Sequence, residues 1–157
     1  MTTMTDSTTD RIEKRIEMKA PISRVWKAIT DYREFGEWFQ AKLESPFEEG
    51  KVTQGKITHP GYDHLTLEIL VKSMQPEKLF SYYWHPNAIE TDVDYSAEPM
   101  TLVEFRLEEI PGGTLLTISE SGFDAIPAAR RAAAFRGNDS GWTGQAKNIE
   151  RYVTSNP

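Results

Sequence analysis

Residues 141–153, GWTGQAKNIERYV, are the stretch on which the fold turns. Trp142, Ala146, Ile149 and Val153 recur at helical spacing and make one apolar stripe. From residue 41 to residue 121 the pattern has a period of two instead, as half-buried strands do. A lone long helix after a strand-rich middle needs a sheet to lie on. An aromatic-rich sheet curled around that helix encloses a cavity, so ligand binding is the first functional expectation.

The other end carries a matching signature in residues 16–29, IEMKAPISRVWKAI. Over 11–18, Ile12, Ile16 and Met18 alternate with Arg11, Arg15 and Glu17, which predicts a half-buried strand. The strand breaks at Ala20-Pro21, and Pro21 suits a first helical position, where its missing N–H costs nothing. Ile22, Val25, Trp26 and Ile29 then lie on one helical face. Asp31 is placed to cap a second short helix running through Trp38, with Gly36 weakening its middle.

Between the two ends, residues 51–58 predict a polar strand with Gly55 at a bulge or edge. Residues 65–74 point Leu65, Leu67, Ile69 and Val71 inward, and 79–85 put Phe80, Tyr82 and Trp84 on one face. Glu90, Asp92, Asp94 and Glu98 lie in an acidic loop between Pro86 and Pro99. Residues 101–109 alternate Val103, Phe105 and Leu107 with Glu104, Arg106 and Glu108. Pro111-Gly112-Gly113 is a hairpin turn into a last strand over 114–121. An alanine-rich helical piece at 128–135 follows Pro127, and Gly137-Asn138-Asp139 is read as a break or re-cap before the last helix. The order is strand, two short helices, about six strands and a long C-terminal helix. Short turns between the strands imply an antiparallel meander, an α+β fold.

Bulk composition bounds the function. The chain has 157 residues, enough for one domain with a full core, and we expect residues 10–157 to form it behind a disordered, threonine-rich tail at 1–9. A net charge of −6 argues against nucleic acid and against stable attachment to an anionic membrane. There is no cysteine, which excludes disulfides, thiolate catalysis and cysteine-held metals. MTTMTDSTTD has neither a basic start nor an apolar run, and no stretch approaches the roughly 20 apolar residues of a membrane span. The expected location is the cytoplasm.

APISRVWKAITD at 20–31, the Trp38-Phe39 pair, ISESGFD at 118–124 and the closing GW…I..YV together resemble the activator of heat-shock-protein-90 ATPase homologue family. That family belongs to the START-like superfamily, which shares the helix-grip fold of the birch-pollen allergens. The resemblance covers roughly residues 10–154. It implies a curved antiparallel sheet of about seven strands wrapped around the C-terminal helix, with a cavity between them. Relatives in the superfamily bind lipids, hormones and polyketides, and a few are cyclases or hydrolases, so the fold alone fixes no activity. The eukaryotic cochaperone that names the family engages its chaperone through a separate N-terminal domain, for which 157 residues leave no room. Chaperone interaction therefore ranks below small-molecule binding.

Trp38, Tyr82, Trp84, Phe105, Phe123, Phe135 and Trp142 are the candidate pocket aromatics. Plain core packing is the stronger reading for Phe105 and Trp142, while Tyr82 and Trp84 add a polar handle to an apolar body. Trp38 is placed where a short helix covers the opening. Glu120 shares parity with Leu116 and Ile118 and so points at the helix, where it could orient a ligand or act as a general base; a wet or arginine-paired position at the sheet end is the rival reading. His59 and His64 flank a Pro-Gly turn beside Asp63, but two histidines without a third ligand make a poor metal site, and no metal or cofactor is expected. His85 reads as exposed or a loop anchor, and Arg130, Arg131 and Arg136 as a solvated helix face. No phosphate loop, dinucleotide fingerprint or nucleophile elbow occurs.

Three functions follow in order: a binder of a small hydrophobic or aromatic molecule, an enzyme on such a ligand with Glu120 as acid or base, and a chaperone-interaction module. A hollow interior favours the first two and a packed one the third.

Overall fold

The computed structural model describes residues 10–86 and 94–157. The expected tail at 1–9 and the acidic-loop residues Glu90 and Asp92 lie outside the described residues.

Strand β1 (Arg11–Met18) buries Ile12 and Met18 and leads into helix α1 (Ile22–Thr30). Pro21 is the N-cap rather than the first helical residue; its extended ψ of 152° turns the strand into the helix. Helix α2 (Tyr32–Phe39) follows at once because Asp31 caps it, its carboxylate accepting from the Arg33 and Glu34 N–H groups. Gly36 is required there: a Cβ would run into the carbonyl of Ala41.

Six strands follow: β2 (Ala41–Leu43), β3 (Val52–Ile57), β4 (Thr66–Gln75), β5 (Leu79–Trp84), β6 (Thr101–Ile110) and β7 (Gly113–Ser121). With β1 they form one seven-stranded sheet in the order β1-β7-β6-β5-β4-β3-β2, antiparallel throughout. β1, first in sequence, thus pairs with the last strand, with α1 and α2 bridging one edge to the other. Gly112, at φ 81°, makes the β6–β7 hairpin.

Helix α3 (Ala128–Ser155) is continuous over 28 residues, so the expected break at Gly137-Asn138-Asp139 is corrected. Glycine weakens a helix by only about 1 kcal/mol. Here the burial of Ala134, Trp142, Ala146, Ile149 and Val153 against the sheet outweighs that loss. Lys14, on the inner parity of β1, pairs with Asp139 at 2.9 Å and ties the helix to the sheet edge at the predicted break.

Among the described residues, aromatic side chains fill the space inside the grip. Phe35, Trp38, Phe80, Tyr82, Phe105 and Trp142 pack ring on ring there, with centroids 4.6–6.4 Å apart. No helix among the described residues is long and apolar enough to cross a membrane.

Candidate functional site

Three strand ends meet at one end of the sheet. β5 finishes at Trp84 and β6 begins at Thr101 directly opposite it. Glu120, next to last in β7, lies across from Val103 on one side and Ile12 on the other. Strand alternation places Leu116, Ile118 and Glu120 on the inner face, all fully buried, under the middle of α3.

Glu120 is the polar centre. Its Oε2 accepts from Trp84 Nε1 at 2.7 Å and Thr101 Oγ1 at 2.5 Å. Its Oε1 accepts from Trp142 Nε1 at 2.8 Å, and Asn138 Nδ2 donates to both oxygens at 2.9 and 3.1 Å. Four neutral side chains surround a fully buried carboxylate that has no arginine beside it among the described residues. Both halves of the rival reading, a wet position or an arginine pair, are therefore corrected. An unaccompanied carboxylate in apolar surroundings is very costly unless its lone pairs are taken up by donors, and here they are.

Trp84 and Trp142 stack at 5.6 Å with an interplanar angle of 28°, their N–H edges turned inward to Glu120. Phe39, at the end of α2, meets Trp84 edge-on at 5.9 Å. Two adjoining hollows open here and share Phe39, Trp84 and Asn138 as walls. The smaller, about 140 Å³, continues along α3 over Gly141, Trp142 and Gln145. The larger, about 260 Å³, spreads toward the start of β4 over Ile57, Leu65 and Leu67, with His85 and Tyr95 at its rim.

Of the sequence-predicted residues, Trp84, Glu120 and Trp142 come together at this cleft. Phe105 packs edge-on against Trp142 from below, at 5.7 Å. Trp38 does not line this cleft: it is 4% exposed, and its indole N–H donates to Ala28 O at 2.9 Å, pinning α2 to α1. It borders a separate open hollow of about 580 Å³ with Gln40, His59 and Tyr152. Phe123 and Phe135 form a separate pair at 5.2 Å, away from the cleft walls. Tyr82 is fully buried, and its hydroxyl has no hydrogen-bond partner. Burial, and secondarily the charge of Glu120, push its phenol well above the usual tyrosine range.

His59 and His64 are both exposed; His59 Nδ1 lies 3.0 Å from the carbonyl of Pro60, and the described residues hold no cluster able to bind a metal. His85 is half-buried and anchors the loop through Nε2 to Glu98 O, at 3.1 Å. Arg130 departs from the solvated-face expectation: it grips Glu98 with two nitrogens, donates to Pro86 O and lies over the Tyr95 ring. Sequence reasoning missed Phe39, Thr101, Asn138, Gly141 and Gln145. The legible signal was the spacing 138, 141, 142, 145, one helical face, which the predicted break at 137–139 obscured.

A family model described as "Activator of Hsp90 ATPase homolog 1-like protein" matches residues 19–154. The chain belongs to that family. Its fold is shared by solved structures of low identity. MLL2253 from Mesorhizobium loti is 21% identical with a TM-score of 0.73, covering 94% of this chain and 98% of that one. DynU16, a putative protein in the dynemicin biosynthetic locus, is 23% identical with a TM-score of 0.71; 92% of this chain is covered, but it spans only 47% of the DynU16 chain. The Aha1 dimer from Colwellia psychrerythraea is 16% identical with a TM-score of 0.67, covering 91% and 95%. No curated protein matches the chain. The family member described here is thus a START-like helix-grip protein, and these structures speak to its fold.

Proposed function

We propose that this protein binds a small aromatic molecule in the cleft between α2, α3 and the ends of β4 and β5. The observation that carries this reading is the shared wall of Phe39, Trp84 and Asn138 between two adjoining hollows, set directly over a buried, fully hydrogen-bonded carboxylate. Flat apolar walls with a few convergent polar groups are what small-ligand sites are made of. The ligand sits at the mouth of the grip, because aromatic rings fill its interior.

Glu120 acts by orientation rather than as an acid or base. Its oxygens are occupied by protein donors, and Trp84, Asn138 and Trp142 stand between it and the cleft. A general base needs a free lone pair within reach of the substrate proton. The test is a thermal-shift series with substituted benzenes at millimolar concentration. The wild type is expected to gain several degrees and Phe39→Ala to lose most of that gain. No ligand-dependent shift with any of them sinks the proposal.

The filled interior favours a second reading, an interaction module for a chaperone of the Hsp90 type, in keeping with the family description. Stimulation of the chaperone's ATPase by the purified protein supports it. Unchanged ATPase together with ligand-dependent stabilisation decides for the first reading.

A further inference from the structure

Two side-chain amides on the α3 wall of the cleft are held in fixed orientations by charges behind them. Asn138 is fixed by Glu120. Carboxylate oxygens offer lone pairs, so the amide nitrogen turns toward them, at 2.9 and 3.1 Å. Asn138 Oδ1 is left without a partner among the described residues, on a side chain that lines both hollows.

Gln145, two turns further along, is fixed from the other direction. Arg151 Nη1 donates to Asn148 Oδ1 at 3.3 Å, and a guanidinium has donors only. Asn148 therefore presents its Nδ2 to Gln145, whose Oε1 accepts at 3.0 Å. Gln145 Nε2 remains as an unused donor on the wall of the smaller hollow.

On the wall of the smaller hollow the two indole N–H groups are spent, since both go to Glu120. Between the two amides lies Gly141, where a Cβ would meet nothing within 4 Å, so the floor is open. Seven residues of α-helix separate Asn138 and Gln145 by roughly 10 Å along the axis. One ring with substituents at opposite ends, plus a hydrogen bond at each, spans a distance of that order.

We infer that the cleft selects a single-ring aromatic ligand bearing a hydrogen-bond donor at one end, received by Asn138 Oδ1, and an acceptor at the other, received by Gln145 Nε2. This rests on the aromatic-ligand reading above and adds its polarity. Glu120 and Arg151 are positioning residues: each sets the direction of an amide without touching the ligand.

The experiment titrates the full-length protein with 4-methoxyphenol, 4-methylphenol and 4-methylanisole, which are similar in shape and differ in donor and acceptor. Binding is followed by the side-chain amide and indole N–H signals in proton–nitrogen NMR spectra. 4-Methoxyphenol is expected to bind about tenfold tighter than 4-methylanisole, one hydrogen bond's worth. Gln145→Leu should make 4-methoxyphenol and 4-methylphenol equal, and Asn138→Leu should remove the preference for a phenol. Gly141→Leu should abolish binding of all three while the spectrum stays dispersed. Equal binding of the three probes to the wild type overturns the inference and leaves the aromatic cleft standing. A phenol preference that survives Asn138→Leu overturns it too. Failure of all three to bind overturns both readings.

Discussion

Glu120 concentrates the chemistry of this protein at one side chain. Its oxygens take donors from two tryptophans, an asparagine and a threonine, drawn from β5, β6 and α3. In Glu120→Gln one oxygen becomes an NH₂ group, and whichever side it takes it faces an indole N–H, of Trp84 or of Trp142, that can only donate. We expect a loss of about 2–3 kcal/mol in urea unfolding, the scale of an unsatisfied buried polar group; a loss below about 1 kcal/mol would mean that these donors do not hold the carboxylate. Tyr82 is the opposite case, a buried hydroxyl with no partner. Tyr82→Phe should be neutral or stabilising, by up to about 1 kcal/mol. Its pH dependence follows from the raised phenol pKa. Below the unfolded value of about 10 the tyrosine is neutral in both states and its contribution is intact. Above it the unfolded chain releases the proton first, so stability falls with a slope of up to about 1.4 kcal/mol per pH unit until the folded pKa is reached. Tyr82→Phe should flatten that alkaline loss, as read from unfolding midpoints at pH 9 and 11.

At the scale of elements, α3 shows how packing overrides propensity. Gly137-Asn138-Asp139 reads as a helix break by composition, yet the helix passes through it. Its inner stripe lies on the sheet, Lys14 reaches Asp139, and Asn138 is held by Glu120. None of these partners is near in sequence, so a local reading could not find them. Gly141 remains a weak point with open space beside it. Gly141→Ala should therefore raise stability by roughly 1 kcal/mol, the helix-propensity difference, with thermal unfolding as the measure. The start of α2 depends on local chemistry instead. Asp31 caps it as its sequence position indicates, and Asp31→Ala should cost about 1 kcal/mol.

In the molecule as a whole, three helices are tied together on the side of α1. Arg24 on α1 pairs with Glu34 on α2 at 2.8 Å, lies 5.4 Å over the Tyr152 ring and donates to the carbonyl of Asn156. Both charged side chains are mostly shielded, at 14% and 16% exposed. Arg24→Ala should cost about 2 kcal/mol and shift a single cooperative transition without splitting it, since the helices share one core.

Strand alternation, the helical stripe of residues 142–153 and the turn residues determined an antiparallel meander with a long C-terminal helix to cover it, because these are periodic signals carried by neighbours in the chain. The helix-grip form of that fold was what the family resemblance implied. Alternation also aimed Glu120 inward. Which side chains meet it was decided by tertiary structure alone. Trp84, Thr101, Asn138 and Trp142 converge from three elements, and that convergence is set by sheet register and helix placement. The same holds for the interior: the sequence supplies the aromatics, but only their packing shows that they fill the grip and leave the cleft at its mouth.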